Sequence, residues 1–259
     1  MKQIRFVFRY LKHFLLARNS NGHGIHSPYM FHFTTFVLLN SNKFYVFETI
    51  EKLRLALKKN RTEINVIDYG TGKNGSRSVC SIAKHSLKSS RHAQLLFRIT
   101  LHIKAENILE LGTSLGITTS YLASVSTKCN CITIEGSPEI AQIAQANFDC
   151  LGLKNVTSIV GEIDASLKDL LHSDLVFDLI FIDANHKYEA VISYFNQCIV
   201  NTNFDSVIVV DDIHWSTDME NAWEIIKSDT RVTSSIDLFH MGIVFFKTDL
   251  SKKHYKIRI

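Results

Sequence analysis

From residue 105 onward the sequence alternates five times between a short apolar run and a stretch of helical periodicity, and few folds tolerate that rhythm. The runs fall at 107–111, 131–134, 156–160, 177–182 and 207–210; the helical patterns cover about 116–125, 138–151, 164–171, 187–199 and 217–228. A strand that is apolar on both faces must be covered on both, and a helix after each strand supplies that cover. The pattern therefore predicts an α/β domain with a doubly wound, mostly parallel sheet over 105–259. Two more strand-like runs, 232–239 and 242–247, are separated by a short turn and predict a C-terminal antiparallel hairpin at the sheet edge, making seven strands.

Upstream, residues 1–104 read as a mainly helical cap or lid region. Residues 3–17 set Ile4, Phe8, Leu11 and Leu15 on one helical stripe, with Arg5, Arg9 and Lys12 elsewhere, so they form a basic amphipathic helix. Docking of that stripe on the chain's own body is the expectation, with a membrane surface as the alternative. A turn-rich loop with His23 and His26 leads through Tyr29 into an aromatic helix near 29–39, and another helix is expected at 47–59. A short apolar run at 64–67 precedes Asp68-Tyr69-Gly70-Thr71-Gly72, which looks like a second glycine loop.

Composition removes several function classes. With 259 residues the prior is one sizeable domain plus an appendage, and 11 Gly with 2 Pro exclude collagen-like or linker-like chains. The 29 basic and 25 acidic side chains give a net +4 that is spread along the chain, so no nucleic-acid partner is expected. Five cysteines, with no pair in CxxC spacing, signal neither a disulfide framework nor a zinc ribbon, and a reducing cytoplasm fits them best. Cys129 and Cys131 share one strand face and read as packing. The apolar N-terminus is broken by charges, unlike a signal peptide, and no run is long enough to span a membrane. Peripheral membrane association and a homo-oligomer stay open.

In an open parallel sheet, ligands bind beyond the carboxyl ends of the strands. The first run ends in Glu110, Gly112 and Gly116, where the glycines permit a tight turn and close backbone approach. The spacing is GxxxG rather than GxGxxG, which argues against a nicotinamide-dependent reductase, and the carboxylate suits a cationic ligand. Glu135 closes the second run 25 residues later (135 − 110), where it can meet ribose hydroxyls. Together they describe a nucleoside site for a positively charged cofactor.

The stretches ILELGTSLGITTSYLA, ITIEG, FDLIFIDANHKYEAV and VIVVDDIHW, in that order, resemble class I S-adenosylmethionine-dependent methyltransferases, including small-molecule and sugar O-methyltransferases that use a metal. Over the whole chain, the GIHSPY loop and the ending SIDLFHMGIVFF also resemble a bacterial methyltransferase-like group. The resemblance implies a Rossmann-like fold with S-adenosyl-L-methionine as cofactor. It places Glu110, Gly112, Thr113, Ser114 and Gly116 along the methionine and ribose, Glu135 and Gly136 at the ribose hydroxyls, Glu162 after Gly161 at the adenine, and Asp183 beside the cofactor. Asp183, Asp211 and Asp212 would converge as three carboxylates in need of a cation, and hard oxygen donors suit Mg2+ or Mn2+. His186, three residues after Asp183, occupies the position of the general base, where catechol-type enzymes usually carry lysine; Lys187 stands next to it, and an imidazole is neutral near pH 7. Asp183 and His186 are thus the expected catalytic pair, acting on a hydroxyl of a small molecule or sugar-containing metabolite. His214 either assists or packs beside Trp215. The 68–72 loop is followed by no acidic strand tip at the right distance and by context loses to Gly112 as the cofactor loop; covering the substrate stays open as an alternative for it and for His23, His26 and Tyr29. A catalytically silent scaffold that docks through the first helix is the non-enzymatic alternative.

Overall fold

The structure, a computed structural model, describes residues 2–70, 72, 74–171 and 174–259, the side chains of residues 2–5 excepted; Thr71 and Lys73 of the second glycine loop, and the side chains of Ile4 and Arg5, lie outside it. In chain order the helices are α1 (Lys2–Leu16), α2 (Pro28–His32), α3 (Tyr45–Leu57), α4 (Val79–His85), α5 (Ser90–His102), α6 (Ile117–Ala123), α7 (Pro138–Cys150), α8 (Ile163–Leu171), α9 (Tyr188–Cys198) and α10 (Thr217–Ser228). The strands are β1 (Glu63–Val66), β2 (Gly75–Ser78), β3 (Asn107–Leu111), β4 (Asn130–Glu135), β5 (Val156–Val160), β6 (Leu179–Ile182), β7 (Val207–Asp211), β8 (Ser234–Asp237), β9 (Met241–Phe245) and β10 (Lys253–Lys256). Two compact units emerge, one discontinuous (Met1–Asn40 with Asp178–Ile259) and one continuous (Ser41–Phe177). Neither border coincides with residue 104.

In the continuous unit, β3, β4 and β5 pair in parallel, and the register opposes Leu111 to Ile134 and Glu135 to Val160. Their carboxyl ends are therefore level, which is what makes a shared ligand site at the tips feasible. Residues 41–104 of the expected 1–104 cap fall in this unit. Phe47 and Ile50 of α3, Ile82 of α4 and Phe97 of α5 share a buried cluster with Leu115, Ile117, Tyr121 and Ile140. The apolar run at 64–67 becomes β1, which pairs antiparallel with β2 through Glu63–Ser78 and Val66–Gly75.

In the discontinuous unit, β6 runs parallel to β7, β7 and β8 each pair antiparallel with β9, and β10 adds in parallel to β8. The 232–239/242–247 hairpin is present as β8–β9, but β8 is not the last strand. β10 raises the seven expected strands of the α/β pattern to eight. Its sequence, Lys-His-Tyr-Lys, buries only Tyr255 and gives no apolar run, so periodicity does not reveal it. Gly242 on β9 is fixed by packing, because a Cβ there would lie 2.5 Å from the Trp223 ring of α10.

Helix α1 corrects the expectation for its face. It docks through Arg9 and His13, with Ala17 beyond its end buried on the same stripe, and it leaves Phe8, Leu11 and Leu15 in solvent at 70%, 52% and 77% exposure. Arg9 bonds Glu220 at 2.8 Å and Thr217 at 2.8 Å, and His13 Nε2 lies 3.0 Å from Asp237 Oδ1. Polar partners from α10 and β8 outcompete the apolar stripe for the docked side.

Candidate functional site

At the tips of β3 and β4 the loop 112–116 folds back onto Glu135. Gly112 and Gly116 have φ of +99° and +76°, which a side chain resists, and the Gly112 amide donates to the Ile134 carbonyl at 3.0 Å. A Cβ on Gly116 would also sit 2.6 Å from the Phe148 ring, so this glycine lets α7 close on the loop. Glu135 accepts from the Ser114 amide at 2.8 Å through Oε2 and from the Ser137 amide at 2.9 Å through Oε1. Burial raises its pKa, backbone amides oppose the rise, and Asp68 adds to it. A carboxylate has about four acceptor sites, so two amides leave capacity for hydroxyl donors.

Two of the expected residues turn their side chains into the core instead of leaving them open to a ligand. Glu110 is fully buried, its Oε2 accepting from Thr133 at 2.7 Å and from Thr119 at shorter range. Thr113 is buried against the Thr133 hydroxyl at 2.6 Å. By contrast Ser114 Oγ is enclosed without a hydrogen-bond partner among the described residues, as expected of a group that awaits a ligand. Glu162 is exposed at the start of α8. The 68–72 loop contributes Tyr69, whose ring edge would be 2.7 Å from a Cβ on Gly136, and the Ile67 amide donates to Ser137 Oγ at 3.3 Å. Tyr69 therefore covers the Glu135–Gly136 turn; sequence reasoning had the loop but not its target.

The tips of β6 and β7 carry the second cluster. Asp183, His186 and Asp211 present ligand atoms that all lie within 4.8 Å of one another. His186 Nε2 is 3.5 Å from Asp183 Oδ1, 3.7 Å from Asp212 Oδ2 and 4.0 Å from Asp211 Oδ2. Burial lowers the imidazole's pKa, but Asp183, Asp212 and Asp211 outweigh it and hold His186 above its ordinary value of 6.5. The three carboxylates alone thus favour a protonated ring, where the sequence suggested a neutral one. Nε2 of His186 and Oδ1 of Asn185 are both enclosed and make no hydrogen bond among the described residues. Hard oxygen donors crowding one imbalanced pocket fit a divalent cation, which would also release the imidazole proton. His186 thus stands in one cluster with Asp183 and Asp211, with Asp212 alongside.

His214 does not assist there. Its Nδ1 meets Glu220 at 2.9 Å and its Nε2 meets Asp237 at 3.0 Å, while its ring stacks on Phe239 at 5.1 Å. Burial opposes protonation, yet both carboxylates hold His214 above 6.5, and Asp237, desolvated but clamped by His13 and His214, sits well below the usual carboxylate range. This network joins α1 to the turn after β7, where Phe6 packs edge-on to Trp215 and Phe239 at 5.9 and 5.3 Å. His23 and His26 are exposed, and Tyr29, pushed up to about 12 chiefly by burial, stacks with Phe33 under the Lys247 ammonium.

Comparison with known proteins bears on this arrangement. Residues 109–213 match a family described as a methyltransferase domain. A catechol O-methyltransferase of Mycobacterium tuberculosis is 31% identical over 127 residues, 48% of this chain and 56% of that one. A catechol O-methyltransferase of Niastella koreensis is 34% identical over 113 residues, 42% and 50% of the two chains. The chain thus spans about half the length of the curated relatives it matches. An O-methyltransferase structure from Bacillus cereus in complex with SAH superposes with a TM-score of 0.58 at 21% identity, covering 79% of this chain and 92% of the other, which speaks for the fold. Residues 109–213 thus match a methyltransferase domain, and their motif order resembles that of the class I S-adenosylmethionine-dependent O-methyltransferases.

Proposed function

We propose that the chain is an S-adenosylmethionine-dependent O-methyltransferase that methylates a hydroxyl of a small molecule or sugar-containing metabolite with the help of a divalent cation. The observation that carries this reading is the Asp183, His186 and Asp211 cluster with Asp212 alongside. The catechol O-methyltransferase relatives support the oxygen acceptor. The cofactor supplies an electrophilic sulfonium methyl. Asp183, Asp211 and Asp212 would hold Mg2+, which when bound would supply Lewis acidity that makes an acceptor hydroxyl easier to deprotonate. Glu135 orients the ribose through its carboxylate while Ser114 and Ser137 fix that carboxylate from behind. Ser114 Oγ donates to the ligand, and Tyr69 excludes water from the turn. His186 takes the hydroxyl proton at Nε2 and releases it to solvent. Helix α1 forms one wall beside the Asp212–Trp215 turn.

The first test is a calorimetric titration with S-adenosylmethionine, with and without Mg2+, followed by a screen of hydroxylated acceptors in the presence and absence of chelator. Asp183→Ala or Asp211→Ala should lower turnover by two orders of magnitude or more, roughly the range seen when electrostatic groups are removed, while cofactor binding persists. Unchanged turnover in both variants overturns the metal assignment. His186→Ala should cost about 10²–10⁴-fold in rate and recover partly at higher pH if the ring acts as base. Loss of cation binding in that variant would instead make it a ligand.

A further inference from the structure

The outward side of α1 is the largest feature that the catalytic reading does not use. At about 100° per residue, Phe8, Leu11 and Leu15 point directly away from the stripe of Arg9, His13 and Ala17 that is docked. The apolar residues are therefore exposed in a continuous line, flanked by Tyr10 and Phe14, also exposed, on one side. Lys12 borders the same line on the other side and is exposed, and Arg18, just beyond the end of the helix, is exposed too. Arg258 adds a third cation, its guanidinium 4.4 Å above the Phe14 ring. The sequence contains no acidic residue before Glu48, while it carries Lys2, Arg5, Arg9, Lys12 and Arg18 in and just after this helix.

We infer that α1 lies flat on an anionic lipid bilayer, with Phe8, Leu11 and Leu15 sunk at the level of the acyl chains and Lys12, Arg18 and Arg258 among the headgroups. An apolar line bordered on both sides by long basic side chains is the arrangement of an interfacial helix, because the charged ends reach outward while their stems stay apolar. A second copy of the chain fits the same face poorly, since it would bring one acid-free basic surface against another. The bilayer supplies the missing negative charge. The docked side needs no rearrangement for this: Arg9 and His13 keep Glu220 and Asp237, so the helix is held from behind while its front engages lipid.

The test is flotation of the full chain with phosphatidylcholine vesicles with and without phosphatidylglycerol. Binding is expected only with phosphatidylglycerol and should weaken as salt rises. The triple substitution Phe8→Ser, Leu11→Ser, Leu15→Ser and the pair Lys12→Glu, Arg18→Glu alter exposed positions, so circular dichroism should report an unchanged fold. Each should lower partitioning about tenfold or more. Absence of binding by the parent chain, or full binding by the triple variant, overturns the inference. A dimer in sedimentation velocity that the triple variant disperses overturns it too and assigns the face to a second copy.

Discussion

Three non-glycine residues adopt left-handed backbone at the strand tips that carry the site: Ser114 at φ 49°, Asn185 at 43° and Asp212 at 51°. Each such residue stores strain of about 1–3 kcal/mol, and such strain gathers where side chains are aimed at a ligand. Glycines at comparable angles separate backbone demand from packing. Gly72, at φ 71°, has nothing within 4 Å of a would-be Cβ among the described residues, whereas Gly116, at φ 76°, has Phe148 and Ala144 against it. Gly72→Ala should cost about 1–2 kcal/mol from backbone alone, and Gly116→Ala should add an overpacking cost of about 1–3 kcal/mol. Urea midpoints of the two variants check this. Glu135, Asp183, Asp211 and His186 are legible from sequence because each ends or follows an apolar run. Tyr69 over Gly136 is not, since that contact joins residues far apart in sequence and no local pattern encodes it. The buried state of Glu110 is likewise a tertiary outcome, set by Thr119 and Thr133.

At the scale of elements, α1 shows how periodicity can find a helix and misassign its face. The apolar stripe is real, but Arg9 and His13 meet partners more than 200 positions away, and the part-exposed Arg9–Glu220 pair and the buried His13–Asp237 contact hold the helix by its polar side. These partners make the attachment pH-dependent. Asp237 has a depressed pKa in the fold, so its contribution is present above its unfolded value near 3.9 and disappears as pH falls through the folded one. His214 has a raised pKa, so its contribution is complete below 6.5 and fades as pH rises through the folded value. The anchor is therefore strongest between about pH 4 and 6.5. Protection of the α1 amides, their exchange rates corrected for intrinsic pH dependence, should be greatest in that window and lower on either side; flat protection would show that the ions do not hold the helix. Asp237→Ala, which strands two histidines in a buried setting, should cost about 3–5 kcal/mol in thermal or urea unfolding. Strand β10 escaped prediction for the opposite reason, having too little apolar pattern to register.

For the whole molecule, the alternation of runs and helices was enough to give the α/β class and its mostly parallel strands. It did not give the partition into units, because residues 41–104 contribute side chains to the same core as α6 and α7. That partition separates the two ligand functions: the proposed cofactor loop is in one unit and the proposed cation cluster in the other. Ligand-induced stabilisation should report them independently. Cofactor at 100 times its dissociation constant should stabilise the chain by about 2.7 kcal/mol, seen as a higher melting temperature, and Asp183→Ala should retain that gain. The increment from Mg2+ should vanish in the same variant. If Asp183→Ala removes both, the two functions are not separable.

The discontinuous unit also imposes an order on synthesis. Arg9 leaves the ribosome 208 residues before Thr217, the group it binds, which at cellular elongation rates is roughly 10–40 s. Throughout that interval a basic helix with every face uncovered is tethered to a nascent chain, while the continuous unit, complete at Phe177, is already able to collapse. The helix is thus available to chaperones and lipid headgroups before it is available to its own fold.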